Sequence, residues 1–243
     1  MNNFPILFTS LIILHILGDF YFQPNSWVKD KNKNHISSLK LINHAVIQAI
    51  MSCIPILYVT TYWKTILCTF FIVGITHWAI DILKTYKNGL RYLVVDQILH
   101  FSILFLISIH ASQLDLSSIE IKNYVFNKYI LSLTLGFLLI LKPTSIFIGT
   151  MLSKYSLSID ENKGLISGGE TIGYLERIII LIFTITGEFS VIGFILTAKS
   201  IFRFGDMKSA QDHKLTEYFL LGTLISVTIT ITVGLIIKYF ILK

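Results

Sequence analysis

The 243-residue chain is short of charge: Asp, Glu, Lys and Arg make up only 14% of it, where water-facing surfaces usually need about a quarter. That shortage excludes an ordinary soluble fold, and a mean hydropathy of +0.71 makes lipid the expected solvent. Cysteine is scarce too. Cys53 and Cys68 lie inside apolar runs without a CxxC partner, so neither a disulfide framework nor a zinc ribbon is supported, and both read as packing residues. The net charge of +6 never gathers into a continuous basic stripe, which argues against nucleic acid as a partner. The glycines Gly164, Gly168, Gly169 and Gly173 lack the Lys-Ser/Thr ending of a phosphate loop and suit close helix approach or a mobile entry segment. No loop is large enough for a folded soluble domain, which leaves a non-catalytic partner or regulator little surface.

What is present is a series of long apolar stretches. A bilayer core of about 30 Å takes about 20 residues of helix. Spans are expected near 4–24, 39–60, 65–84, 92–112, 129–152 and 215–241. The N-terminal run has no basic leader or small-residue cleavage site and is interrupted by His15, Asp19 and Gln23, so it reads as a retained first span. The stretch 171–204 is too long for one ordinary crossing and breaks at Gly187-Glu188, so it is expected to form a re-entrant or steeply tilted helical hairpin. The expected fold is therefore all-α: a polytopic transmembrane helix bundle of about six spans plus that hairpin. Residues 1–112 form a four-span His/Asp-bearing domain, and 113–243 carry span five, the hairpin and the final span.

Lys and Arg in short loops set orientation. Lys29, Lys31, Lys33 and Lys40 follow span one, and Lys84, Lys87 and Arg91 follow span three, which predicts these connections to be cytoplasmic and the N-terminus outside. The hairpin returns Lys199, Arg203, Lys208 and Lys214 to the same side. The location implied is the inner (plasma) membrane of a bacterial cell, with membrane lipids as neighbours.

The chemistry is concentrated in the first four spans. Span one carries His15-x-x-x-Asp19, span three His77-x-x-x-Asp81, and span four the reversed Asp96-x-x-x-His100. The i,i+4 spacing puts each pair on one helix face. Spans one and three run toward the cytoplasm while span four runs away from it, so the reversal brings all three aspartates to one depth and all three histidines to another about 6 Å deeper. His44 enters from the same side on span two, and Gln23 and Gln97 add amides near the mouth. Carboxylates at bilayer depth are expensive and need compensation. A divalent metal, Zn, Mn or Fe, would supply it, with His15, His44, His77 and His100 as ligands and Asp19, Asp81 and Asp96 as further ligands, orienting partners or a general base. HxxxD lacks the glutamate of the HExxH pattern, and a hydrogen-bonded polar seam or a proton relay remains an alternative.

In the second half, Lys142 precedes Pro143 in mid-span and suits an ion pair with Glu188 or Glu176, or an anionic headgroup. Arg177, Lys199 and Arg203 stand where they could hold a substrate phosphate at headgroup level, although snorkelling accounts more simply for Lys199 and Arg203.

The segments LHILGDFYFQPNSWVKDK (14–31), NHA (43–45), THWAIDILK (76–84) and DQILH (96–100), continuing through GYLERIIIL, IGFILTAKSIFRF and EYFLLGTLIS, resemble an uncharacterised bacterial membrane family, domain of unknown function 3307. The resemblance implies identity and membrane localisation without an activity. More loosely, the arrangement looks like inner-membrane proteins labelled metal-dependent hydrolases. The leading reading is a metal-dependent hydrolase of a lipid or lipid-linked substrate. The alternative is a cation- or proton-coupled transporter or channel.

Overall fold

The structure is a computed structural model describing residues 4–87, 89–112, 127–155, 168–204 and 210–241. Every element among the described residues is helical. Among the described residues six stretches are long and apolar enough to cross a membrane: Phe4–Tyr21, Leu39–Val59, Trp63–Thr85, Leu90–Ser112, Lys128–Tyr155 and Thr216–Tyr239. Their outer faces carry exposed large apolar side chains such as Phe71 at 57%, Ile75 at 62% and Leu106 at 64%, which water would not tolerate in such number. The chain is an all-α, multi-pass membrane protein. It divides into two compact units, Met1–Leu138 and Leu139–Lys243.

The first unit contains α1 (Phe4–Ile16), α2 (Asn25–Asn34), α3 (Leu39–Val59), α4 (Trp63–Thr85) and α5 (Leu90–Ser112). A π-helical turn, Leu17–Tyr21, continues α1. Ser38 caps α3, its hydroxyl accepting from the Leu41 amide at 3.2 Å. Where α3 and α4 meet, small residues allow close approach: a Cβ added at Gly74 would lie 3.5 Å from that of Ala49. One end of this bundle is filled by apolar side chains, among them Leu7, Leu11, Ile56, Val73, Leu104 and Ile107. Ser10 and Ser108 within it turn their hydroxyls onto carbonyls of their own helices, as lipid-buried polar groups must.

The polar stretch after span one is more than a loop: Asn25–Asn34 forms α2, which ends at His35 with a positive φ of 46°. His35 Nδ1 and Thr85 Oγ1 are 2.9 Å apart, and the His35 ring stacks on Tyr86 at 4.3 Å. Ser38 donates to Asp30 at 2.6 Å. These contacts fasten α2 across the end of the bundle opposite the apolar cluster.

Span five, α6 (Lys128–Ile140) and α7 (Lys142–Leu152), breaks at Leu141. Pro143 has no N–H for the Leu139 carbonyl, and the Thr144 hydroxyl donates to that oxygen instead, at 2.7 Å. The second unit continues with α8 (Gly168–Thr186), α9 (Phe189–Phe204) and α10 (Ala210–Ile236), extended by a π-helical turn at Ile237–Ile241. The expected hairpin is present as α8 and α9, with Gly187 at φ +93° in the turn, where a side chain would strain the backbone and collide with the Lys238 ammonium. Ile180, Ile192 and Val227 form a buried cluster joining α8, α9 and α10. Close approach is seen elsewhere than expected. A Cβ at Gly169 would meet nothing within 4 Å, and the atoms nearest one at Gly173 are those of the Arg177 guanidinium, whereas Gly234 is pressed against Thr184. Residues 113–126, the connection containing Gly164, and Lys208 lie outside the described residues.

Candidate metal centre

At the end of the first unit beneath α2, the four helices deliver their polar side chains to one cavity. His15 and Asp19 come from the end of α1 and its π-turn, His44 from the first turns of α3, His77 and Asp81 from the last turns of α4, and Asp96 and His100 from the first turns of α5. His15, His44, His77, His100, Asp81 and Asp96 are each at most 3% exposed. Imidazole centroids lie 4.1 Å apart for His77 and His100, 4.9 Å for His15 and His100, and 4.9 Å for His44 and His77.

The carboxylates face these rings. Asp19 Oδ2 is 3.4 Å from His15 Nε2, while its Oδ1 is 3.2 Å from His44 Nε2 and 3.6 Å from His77 Nε2. Asp81 Oδ2 stands 3.9 Å from both His44 and His77, and its Oδ1 is 3.9 Å from His100. Asp96 Oδ1 is 3.6 Å from His100. Most of these separations exceed those of good hydrogen bonds. The Nε2 atoms of His15, His77 and His100 and Oδ1 of Asp96 are buried and make no hydrogen bond to protein. Two donors each about 2.1 Å from one ion at a tetrahedral angle are about 3.4 Å apart, so the spacing suits atoms that share a cation better than atoms that share a proton.

Around this centre stand Gln23 and Gln97, placed near its mouth from the sequence, and Lys31, Lys84 and Gln48, which were not. Lys31 of α2, counted as a loop charge, is 5% exposed and holds Asp81 Oδ2 at 2.8 Å, with Gln23 Oε1 accepting from it at 3.4 Å. Lys84 holds Asp96 Oδ2 at 2.5 Å. Gln48, one turn beyond His44 on α3, donates to Asp19 Oδ1 at 2.5 Å and to the His15 carbonyl at 3.1 Å. Gln97 donates to Asp19 Oδ2 at 3.0 Å and to Asp96 Oδ2 at 3.1 Å. Gln48 and Lys84 were findable, because they follow His44 and Asp81 at helical spacing on the same faces; Lys31 needed the knowledge that α2 folds over the cavity.

The remaining residues with expected substrate roles belong to the second unit. Arg177 is 4% exposed and donates to Ser145 Oγ at 2.6 Å and Ser226 Oγ at 3.2 Å. Lys199 reaches Glu176 at 2.6 Å, tying the two arms of the hairpin together. Glu176 therefore has a partner other than Lys142, which opens α7. Arg203 lies on α9, its side chain outside the described set.

Comparison with curated proteins and with solved structures gives no significant match. The motifs GYLERIIIL, IGFILTAKSIFRF and EYFLLGTLIS fall beyond the residues that a family model covers. That model, described as Protein of unknown function (DUF3307), matches residues 7–128, the part that holds every histidine and aspartate of the cavity, and the chain belongs to this family.

Proposed function

We propose that the cavity is a divalent-metal centre in the cytoplasmic half of a plasma-membrane protein, and that it hydrolyses a lipid or lipid-linked substrate. One observation carries this reading: His15, His77 and His100 turn buried, unbonded Nε2 atoms toward carboxylates of the same cavity. A hydrogen-bonded seam would pair those nitrogens, since an unpaired buried polar atom costs about 1–3 kcal/mol. The donor set is imidazole and carboxylate without thiolate, which suits Zn, Mn or Fe. A bound ion would supply Lewis acidity and an activated water. This chain's own part is to hold the ion, to accept a proton on whichever aspartate oxygen does not ligate, and to keep bulk water out with α2.

Two features favour a one-sided lipid hydrolase over a conduction path. The apolar cluster of Leu7, Leu11, Ile56, Val73, Leu104 and Ile107 fills the bundle beyond the cavity, and among the described residues no buried Asp, Glu, His, Lys or Arg continues the His/Asp set there. On the lipid-facing side of the two helices that carry His44 and His77, an apolar groove of about 310 Å³ runs between Ile42 and Ala49 of α3 and Phe70 and Trp78 of α4. An acyl or prenyl chain of a membrane lipid fits its chemistry. The basic connections after α1 and α4 lie at the cavity end, which supports a site near the cytoplasmic face.

The test is metal content of the detergent-purified chain, with thermal stability before and after chelation. Bound Zn, Mn or Fe whose removal lowers the melting temperature is expected, with the ion lost in His77→Ala. A wild type that stays metal-free after supplementation with all three, and is indifferent to chelator, refutes the reading.

A further inference from the structure

The seven donors are more than one tetrahedral ion uses, and they fall into overlapping groups of three. The ligand atoms of His44, His77 and Asp81 lie within 4.8 Å of one another, and so do those of Asp19, Asp96 and His100. These two triads share no residue. A third, His15, Asp19 and His77, connects them. The connection is also made oxygen by oxygen. Asp19 turns Oδ1 to His44 and His77 of one triad and Oδ2 to His15. Asp81 turns Oδ2 to the same two histidines and Oδ1 to His100 of the other triad. A carboxylate that presents its two oxygens to two different sets of ligands is placed as a bridge.

We propose that the cavity is built for two divalent cations, one held by His44, His77 and Asp81, the other by Asp19, Asp96 and His100 with His15 in reach, and that Asp19 and Asp81 bridge them. The proposal rests on the metal-centre reading above and extends it to a nuclearity and a substrate class. Two-metal sites place their ions about 3.5–4 Å apart and clamp the attacking and leaving oxygens of a displacement.

Charge then selects the substrate. With neutral imidazoles, the carboxylates Asp19, Asp81 and Asp96 stand against the ammonium groups of Lys31 and Lys84, leaving one negative charge. One divalent ion turns this into one positive charge, and a second into three. A surplus of three in a low-dielectric cavity is costly unless an anion enters with it. The lysines are distributed one to each triad, Lys31 on Asp81 and Lys84 on Asp96, and could turn from these carboxylates to an incoming multiply charged oxyanion. A phosphate ester is the chemical class that brings such a charge together with an in-line displacement for two ions to serve. The second cation is therefore expected to bind strongly only with phosphate.

The experiment is equilibrium dialysis of the full chain in detergent against Mn(II), alone, with inorganic phosphate, and with micelles containing phosphatidate, read by elemental analysis and by electron paramagnetic resonance. One ion per chain without phosphate, and a second with either phosphate source accompanied by an exchange-coupled signal, is the expected result. Uptake with phosphatidate alone assigns the phosphate to a lipid; uptake with inorganic phosphate also shows that the phosphate group suffices. His44→Ala and Asp96→Asn are each expected to hold a single, uncoupled ion in the presence of phosphate, with elution in size-exclusion chromatography confirming that they fold. A wild type that stays at one ion under every condition overturns the two-cation site and leaves the single-metal reading standing. No ion at all defeats both, and two ions retained in His44→Ala overturns the assignment of ligands.

Discussion

Gly18 sits in the π-helical turn of the first span, with the Gln48 amide pressed against it. A Cβ at position 18 would lie 2.6 Å from Gln48 Cδ and 2.9 Å from its Oε1, inside any real carbon contact. Gln48 is fully buried and cannot swing away freely. Gly18→Ala must therefore push it off Asp19 Oδ1 and the His15 carbonyl, bonds of 2.5 and 3.1 Å. A bond to a charged group contributes about 1.5–3 kcal/mol and a neutral one in a membrane bundle about 0.6. Against this, alanine gains about 1 kcal/mol of helix propensity over glycine. The net expectation is a loss of about 1.5 kcal/mol. Gln48→Ala should lose the same bonds without the clash, and Gly18→Ala/Gln48→Ala should be no worse than Gln48→Ala alone, because the shorter side chain leaves room for the new methyl. Denaturant titration of the detergent-solubilised variants measures all three. A Gly18→Ala protein as stable as the wild type, or losses that simply add, would show that the glycine and the amide do not meet and that this side of the cavity is arranged differently.

Imidazole must shed its proton to ligate, so metal occupancy should be complete near pH 8 and fall as pH drops below about 6, followed by dialysis against buffered metal; occupancy unchanged at pH 5 would contradict histidine ligation. In a background without Cys53 and Cys68, a cysteine at the exposed Asn32 of α2 should react with a membrane-impermeant reagent only after permeabilisation, and labelling in intact cells would invert the orientation. Arg177→Met should cost about 2–4 kcal/mol by stripping Ser145 and Ser226 of a buried charged donor, and Arg177→Lys should not restore it, since a point charge cannot span both hydroxyls; melting curves decide.

Much of the cavity was legible because helical periodicity and bilayer depth act as two rulers on one sequence. The reversal of Asp96-x-x-x-His100 relative to His15-x-x-x-Asp19 and His77-x-x-x-Asp81 has meaning only if the helices alternate in direction, and the structure brings the three pairs together as that alternation requires. The hairpin at Gly187 was readable for a similar reason, since arm length and the sides of the basic residues could not both be met by one crossing. The pairing of the lysines was not legible. A basic residue near a span end has two explanations, orientation and pairing, and composition cannot separate them: Lys31 and Lys84 look like Lys29 and Lys87 until tertiary contacts exist. The pairing of Lys199 with Glu176 was hidden likewise, because their proximity depends on the register of two arms folded about a single turn.

The helix α2 is joined to the bundle at each of its ends and hooked at its middle, His35 lying on Tyr86 while Lys31 reaches Asp81. Because Lys31 is 5% exposed and its ammonium lies on Asp81, lifting α2 would break a buried ion pair and uncover the His/Asp cluster on that side. The orientation of Asp81 is thereby coupled to the seating of one short helix, so a substitution at Lys31 acts on the cluster and on α2 together.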